Sequence, residues 1–193
     1  ALKYLDYISL DWTDDPNYVP DRVTVGEDIV YLEAEEYVNA ATGTAFDDSA
    51  YKATIGTGSA LHGGEGLQFC YYPKDQAATT VVMPVKLTKN GNYNFEYVTN
   101  YAWDNVIHKV EIAKAGEEAV DVTGALSDYS DAPTYFEAAG GFIYDNGYRK
   151  YGMNGIYLTA GDYDVTFTVT PRPDGFALKY LDYISLDWTD DPN

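Results

Sequence analysis

The chain has 193 residues, 46% of them hydrophobic, and its 31 Asp and Glu against 12 Lys and Arg give a formal net charge of −19. Such a hydrophobic fraction excludes an acidic disordered tail, and the length suffices for the core of one domain. So acidic a surface repels nucleic acid and anionic lipid and attracts divalent cations. No apolar run approaches the roughly 20 residues of a membrane span.

The chain begins with a segment that it repeats later. Residues 1–17, ALKYLDYISLDWTDDPN, recur unchanged as residues 177–193. Because shared folding needs would preserve a pattern rather than every residue, we interpret 1–17 as the end of a preceding repeat with its linker. Residues 18–193 are then predicted to be one complete repeat of a tandem array. An engineered duplication of one end is the alternative.

An alternation of apolar and polar residues predicts β-strands along most of the chain. It is plainest in VVMPVKL (81–87), NYNFEYV (92–98) and DVTFTVT (164–170). Turn signals such as Asn90-Gly91 separate the strands, and no dozen residues show a helical stripe. Pro84 cannot donate to a ladder, so we expect its strand to lie at a sheet edge or to carry a bulge. The pattern predicts an all-β, antiparallel β-sandwich.

A pair of acidic residues stands in the first long predicted strand. Glu33 and Glu35 are two apart in YLEAEEYV (31–38), so we expect both carboxylates on one face, about 7 Å apart. Like charges so placed are unfavourable unless water or a cation separates them. Ca²⁺ takes six to eight oxygen ligands, and such a pair supplies a start. Two solvated acids on an outward face are the alternative.

Four motifs in order resemble a known family. They are YLEAEEY, NGNYNFEYVTNYA, GIYLTAGDYDVTFTV and LKYLDYISL. The set is similar to carbohydrate-binding modules of families 6 and 35, of the galactose-binding-like β-sandwich type, over residues 30–186. The resemblance implies a jelly roll in which a structural calcium is held by Glu33 and Glu35 of the opening strand and Asp182 of the closing strand.

The resemblance also implies a sugar site of aromatic platforms on loops, with an acid or amide before the closing strand. The candidates are Tyr101, Trp103, Tyr148, Tyr151 and Asp174. Aromatic faces stack on apolar sugar faces, and a nearby carboxylate binds hydroxyls. The alternative is that these tyrosines pack between loops or against the next repeat. The later loop, NGYRKYGMNG, lacks the Trp that the family has there.

Signatures of catalysis are few. His108 shares a predicted strand face with Val110 and Ile112, which indicates a histidine of the core or of a seam. His62 lies in a glycine-rich loop without a Cys or second His at ligand spacing. There is no nucleophile elbow and no phosphate-loop lysine. The only cysteine, Cys70, excludes an intradomain disulfide. We therefore expect no enzymatic activity.

The sequence predicts a calcium-stiffened structural repeat of an extracellular stalk, adhesin or filament, with neighbouring repeats or chains as partners. Two prolines, Pro16 and Pro20, stiffen the linker and favour this interpretation. The alternative is a polysaccharide-binding module that gains avidity by repetition. The extracellular location rests on the family resemblance, and neither nucleic acid nor membrane insertion is expected of this segment.

Overall fold

A computed structural model describes residues 20–43, 53–57, 62, 65–71, 78–100, 106–126, 148–171 and 177–189. Within these ranges the strands are β1 Val23–Val25, β2 Val30–Glu33, β3 Ala41–Gly43, β4 Thr54–Thr57, β5 Glu65–Tyr71, β6 Thr79–Leu87, β7 Gly91–Asn100, β8 Val106–Lys114, β9 Val120–Asp121, β10 Ala125–Leu126, β11 Tyr148–Leu158, β12 Gly161–Pro171 and β13 Ala177–Thr189. A 3₁₀ helix spans Ala34–Ala40. Residues 1–17 lie outside the described ranges, so their assignment to a preceding repeat stays a prediction.

The strands form two sheets that pack face to face. The six-stranded sheet has the order β1-β6-β12-β8-β9, with β3 also on β6, and the seven-stranded sheet has the order β10-β11-β7-β13-β5-β4, with β2 also on β13. Among the described strands every pair is antiparallel except β1 with β6. The predicted all-β, antiparallel sandwich is therefore confirmed.

The core lies between the sheets and follows the predicted alternation. In β12, Val165, Phe167 and Val169 are fully buried while the threonines between them are only partly covered. Phe167 meets Phe69 of the other sheet with ring centroids 5.8 Å apart. Burial of such apolar side chains, at about 25 cal/mol per Å², is the main force that holds the sheets together.

Strand β13 occupies the middle of the seven-stranded sheet. It pairs with β7 on one side, and on the other side first with β5 and then with β2. A bulge between Leu181 and Ile184 puts two residues of β13 opposite one residue of β7. Because of this extra residue, Leu181 and Ile184 both face the core although they are three apart, and both are fully buried.

Two local expectations need correction. Pro84 lies in β6, which is neither a sheet edge nor bulged among the described pairs: β3 pairs with residues 79–81 and β1 with residues 85–87, and Pro84 falls between them. On that side of β6, residues 82–84 have no partner strand among the described pairs, so the ladder needs no N–H from Pro84 there.

The second correction concerns the acidic segment. The strand ends at Glu33, and Glu35 lies in the 3₁₀ helix rather than on a strand. The helix buries Ala34 and Tyr37, whose spacing of three fits a turn of three residues. No helix in the described part of the chain is long and apolar enough to cross a membrane.

Candidate functional site

The three carboxylates predicted as calcium ligands come from three elements. Glu33 ends β2, Glu35 lies in the 3₁₀ helix, and Asp182 stands at the bulge of β13. Pairing of β2 with β13 places Glu33 opposite Tyr183 and so beside Asp182. The charge of Glu35 is close enough to act on the carboxyl of Asp182. The fold therefore brings the three acids into one region.

His62 joins two of these acids. Its backbone N–H donates to Asp182 Oδ1 at 2.9 Å, and its ring Nδ1 lies 2.7 Å from Glu33 Oε1. The other oxygen of Glu33 and Oε2 of Glu35 are buried without a hydrogen-bond partner among the described residues. A buried carboxylate oxygen without a partner is destabilising, so water or a cation is expected at this position.

The electrostatics of the three acids show how much they are crowded. Burial raises the pKa of Asp182 to about 7. The negative charges of Glu33 and Glu35 also raise this pKa, whereas the hydrogen bond from the His62 N–H lowers it. Burial also raises the pKa of Glu35, with further contributions from Glu33, Glu36 and Glu65. A bound cation would remove this repulsion and favour the ionised forms.

The donor set fits calcium in chemistry. It consists of carboxylate oxygens, two of them unpartnered, which are the ligands that Ca²⁺ prefers. Among the described residues, however, no group of three or more His, Cys, Asp or Glu side chains is arranged so that it could hold a metal ion. Glu33, Glu35 and Asp182 would therefore have to close around an ion, which the crowding of their charges opposes until the ion is present.

A partly exposed aromatic group, consisting of Tyr31, His62 and Tyr183, lies next to the acids. The rings of Tyr31 and His62 are stacked, with centroids 5.6 Å apart and planes at 23°. Tyr183 meets both rings edge-on, at 5.2 Å from Tyr31 and 5.8 Å from His62. Tyr31 is 43% exposed. Since Ile184 faces the core, its neighbour Tyr183 faces the outer side of the seven-stranded sheet.

Charged side chains border the aromatic group on the same sheet face. Glu96 of β7 forms an ion pair with Lys150 of β11, with Nζ and Oε1 2.5 Å apart. The Tyr183 hydroxyl lies 3.5 Å from the same oxygen. Stacked aromatic rings next to charged hydrogen-bonding groups can hold a sugar ring, because its apolar face contacts the rings and its hydroxyls reach the charges.

The sugar-binding residues implied by the family resemblance are only partly described. Tyr101, Trp103 and Asp174 lie outside the described residues, and of Tyr148 only the backbone, opposite Asn100, is described. Tyr151 packs at the edge of the core, stacked on Tyr97 with centroids 5.4 Å apart and planes at 11°. Its ring thus packs within the sandwich.

The two histidines have different roles. His108 is half-buried, packs on Phe167 of the core and hydrogen-bonds to the Tyr97 hydroxyl at 3.0 Å, so the predicted histidine of the core or of a seam is confirmed. Sequence reasoning gave His62 no role, although it contacts both Glu33 and Asp182. Its partners lie 120 and 29 residues away, and no local spacing could have revealed them.

No protein-family model and no curated protein matches the sequence. Among solved structures, the chain is similar to the C-terminal CBM6 of LamC, a marine laminarinase from Zobellia galactanivorans. The TM-score is 0.50 at 17% identity, over 83% of this chain and 99% of that one. TmCBM61 in complex with β-1,4-galactotriose gives a TM-score of 0.49 at 15% identity, over 77% of this chain and 87% of that one.

The same sandwich occurs outside carbohydrate-binding modules. The insecticidal crystal protein Cry2Aa gives a TM-score of 0.53 at 14% identity, over 86% of this chain and 23% of that one. The similarity to the CBM6 and to Cry2Aa establishes that the chain has the β-sandwich fold of such modules. Because one fold carries several functions, the function has to be argued from the site.

Proposed function

We propose that this domain is a carbohydrate-binding module that binds a polysaccharide without acting on it. The observation that carries the proposal is the aromatic group of Tyr31, His62 and Tyr183, which is partly exposed and lies beside the Glu96–Lys150 ion pair on the outer face of the seven-stranded sheet. The β-sandwich that it shares with the CBM6 supports the proposal. A net charge of −19 repels acidic polymers, so the ligand is a neutral polysaccharide.

Binding is tested with a panel of neutral polysaccharides that includes laminarin, by affinity electrophoresis and calorimetry. Tyr31→Ala removes one stacking face and is expected to weaken binding about tenfold, or 1.4 kcal/mol. Tyr157→Ala is the matched control, because Tyr157 is a more exposed tyrosine, at 65%, that lies outside the aromatic group. Absence of binding across the panel, or an equal loss in both variants, contradicts the proposal.

The second candidate function is a calcium-stiffened repeat of an extracellular stalk, adhesin or filament. It is favoured by the unchanged recurrence of residues 1–17 and by the unpartnered oxygens of Glu33 and Glu35. Calcium held by Glu33, Glu35 and Asp182 would tie β2 and the 3₁₀ helix to β13. Neighbouring repeats or chains would then be the partners, and sugar binding and stiffening can coexist in one array.

Calcium binding is tested by calorimetry on chelator-treated protein. At free calcium 100 times the dissociation constant, linkage stabilises the fold by roughly 2.7 kcal/mol. Glu35→Gln is expected to abolish the heat and the stabilisation, whereas Glu36→Gln, at an exposed neighbouring acid, leaves both nearly intact. If calcium gives neither heat nor stabilisation in the unsubstituted protein, the calcium proposal fails.

A further inference from the structure

The ring of His62 has two nitrogens, and the described contacts account for one of them. Nδ1 lies 2.7 Å from Glu33 Oε1. Among the described residues no hydrogen bond reaches Nε2, and the side chain is 55% exposed. We propose that His62 Nε2 accepts a hydrogen bond from a hydroxyl of the bound sugar and so helps to select which sugar binds. This inference rests on the proposed carbohydrate-binding function and names a specificity-determining residue of that site.

Glu33 determines which nitrogen of His62 carries the proton. An ionised carboxylate has only acceptor atoms, so Nδ1 has to donate to it. A neutral imidazole has one N–H, and when Nδ1 holds it, Nε2 keeps a lone pair. Nε2 is therefore an acceptor, which can bind a sugar hydroxyl but not an ether or carbonyl oxygen.

Contacts with four residues hold the imidazole in place before a ligand binds. The backbone N–H of His62 donates to Asp182 Oδ1 at 2.9 Å, and Asp182 is itself buried. The ring is stacked on Tyr31 with planes at 23° and meets Tyr183 edge-on, while Nδ1 is held by Glu33. Because the acceptor is already oriented, little conformational freedom is lost when a hydroxyl binds to it.

The position of the imidazole suits a hydroxyl of a stacked sugar. A sugar that stacks through its apolar face carries its hydroxyls around the rim of its ring. The ring centroids of Tyr31 and Tyr183 lie 5.6 and 5.8 Å from that of His62, so a sugar on either tyrosine has its rim beside the imidazole. Glu96 and Lys150, the charged groups nearby, bind each other. His62 thus adds a neutral acceptor to this face.

His108 provides an internal control, because its proton lies on the other nitrogen. The Tyr97 hydroxyl donates its single proton to the carbonyl of Thr123 at 2.9 Å. His108 Nε2, at 3.0 Å from the same hydroxyl oxygen, therefore has to be the donor. These two histidines are the only ones in the chain, so their ring resonances are readily distinguished.

NMR of the ring nitrogens tests the inference in the full chain, in chelator and at about pH 8, where an imidazole in water is neutral. In the free protein we expect the proton of His62 on Nδ1 and that of His108 on Nε2. The probe is laminarin, or whichever neutral polysaccharide of the panel binds more tightly. It should shift the Nε2 resonance of His62 and leave the resonances of His108 unchanged.

The role of Glu33 is tested by the same NMR measurement. Glu33→Gln replaces the carboxylate by an amide that can also donate to Nδ1, so both tautomers of His62 are expected to be populated. Glu36→Gln, at an exposed neighbouring acid, is the matched control and should leave the tautomer of His62 unchanged.

Affinity for the same polysaccharide gives a second readout. His62→Phe keeps a stacking ring and the backbone contact with Asp182 but has no acceptor, and it is expected to weaken binding about fivefold to tenfold. The inference is overturned by a proton on His62 Nε2 in the free protein, by an Nε2 resonance that binding does not move, or by undiminished affinity in His62→Phe. If Tyr31→Ala still weakens binding in such a case, the proposed function stands alone. If no polysaccharide of the panel binds, both fail.

Discussion

Asp182 couples the stability of the fold to pH. Burial raises the pKa of its carboxyl to about 7, whereas the group titrates near pH 4 in an unfolded chain, roughly 3 units lower. Between these values the folded state retains a proton that the unfolded state has lost. The free energy of unfolding therefore falls as pH rises from about 4 to about 7, by up to roughly 4 kcal/mol from this group.

This prediction is checked by denaturant unfolding in chelator across that pH range. Asp182→Asn keeps an oxygen that accepts from the His62 N–H but carries no charge at any pH. The variant is expected to lose less stability than the unsubstituted protein as pH rises, and to be the more stable of the two at pH 8. Parallel pH profiles for the two proteins would contradict this account of Asp182.

The residues of the candidate site differ in how far the sequence could identify them. Glu33, Glu35 and Asp182 were named from motifs, and the structure places them in one region through the β2–β13 pairing. The aromatic group was not foreseen, because Tyr31 and Tyr183 become neighbours only through strand register. His62 lies in a glycine-rich loop without an alternating pattern, so its contacts with Glu33 and Asp182 can be seen only in the tertiary structure.

At the scale of elements, a close backbone approach fixes β10 against β11. Gly124 has φ +66°, and a Cβ there would overlap the backbone carbonyl of Gly152 in β11. Gly152 in turn packs closely on β7, since its own Cβ would lie 2.9 Å from the carbonyl oxygen of Phe95. Two features therefore require glycine at position 124: its left-handed backbone conformation and the lack of room for a Cβ atom next to Gly152.

Gly124→Ala is expected to lower the free energy of unfolding by roughly 3 kcal/mol or more. The cost of a left-handed backbone conformation for alanine adds to the cost of the overlap between its Cβ and the Gly152 carbonyl. Gly116→Ala is the matched control: its φ is +82° but no atom lies within 4 Å of the added Cβ. That variant should cost only about 1 to 2 kcal/mol. Urea unfolding of both proteins separates the two contributions, and equal losses would contradict the overlap.

The strands themselves were largely predictable, and the exceptions have physical causes. The alternations in 92–98 and 164–170 lie within β7 and β12, since one face of each strand packs on the core. The expectation that the strand of Pro84 lies at a sheet edge or carries a bulge was wrong, because the sequence does not show that two short strands, β1 and β3, share one side of β6. The 3₁₀ helix was missed because seven residues are too few for a helical stripe.

At the scale of the whole molecule, the linker is anchored before the first strand. Arg22 Nη1 donates to the backbone carbonyl of Tyr163 at 2.6 Å and to Asp164 Oδ1 at 3.1 Å. Together with Pro20, this contact fixes the direction in which the chain enters the sandwich. If residues 18–193 are one repeat of an array, neighbouring repeats should hold a defined angle.

A protein of two successive repeats is therefore expected to scatter X-rays as a rod with one preferred angle between its halves. Replacing the Arg22 of the second repeat, Arg22→Ala, should broaden the distribution of angles, because the anchor on β12 is lost. Lys109→Ala is a control that removes an exposed ion pair with Glu111 on β8 and leaves the linker unchanged. A broad distribution in the unsubstituted protein would contradict the rigid linker.

The central place of β13 also determines how the sandwich responds to tension. A pull on the chain after Thr189 acts along a strand that is hydrogen-bonded to β7 on one side and to β5 and β2 on the other. Hydrogen bonds of an antiparallel ladder lie perpendicular to the strand, so such a pull loads them in shear. The bonds on both sides must then break together, and the domain resists extension instead of unzipping one bond at a time.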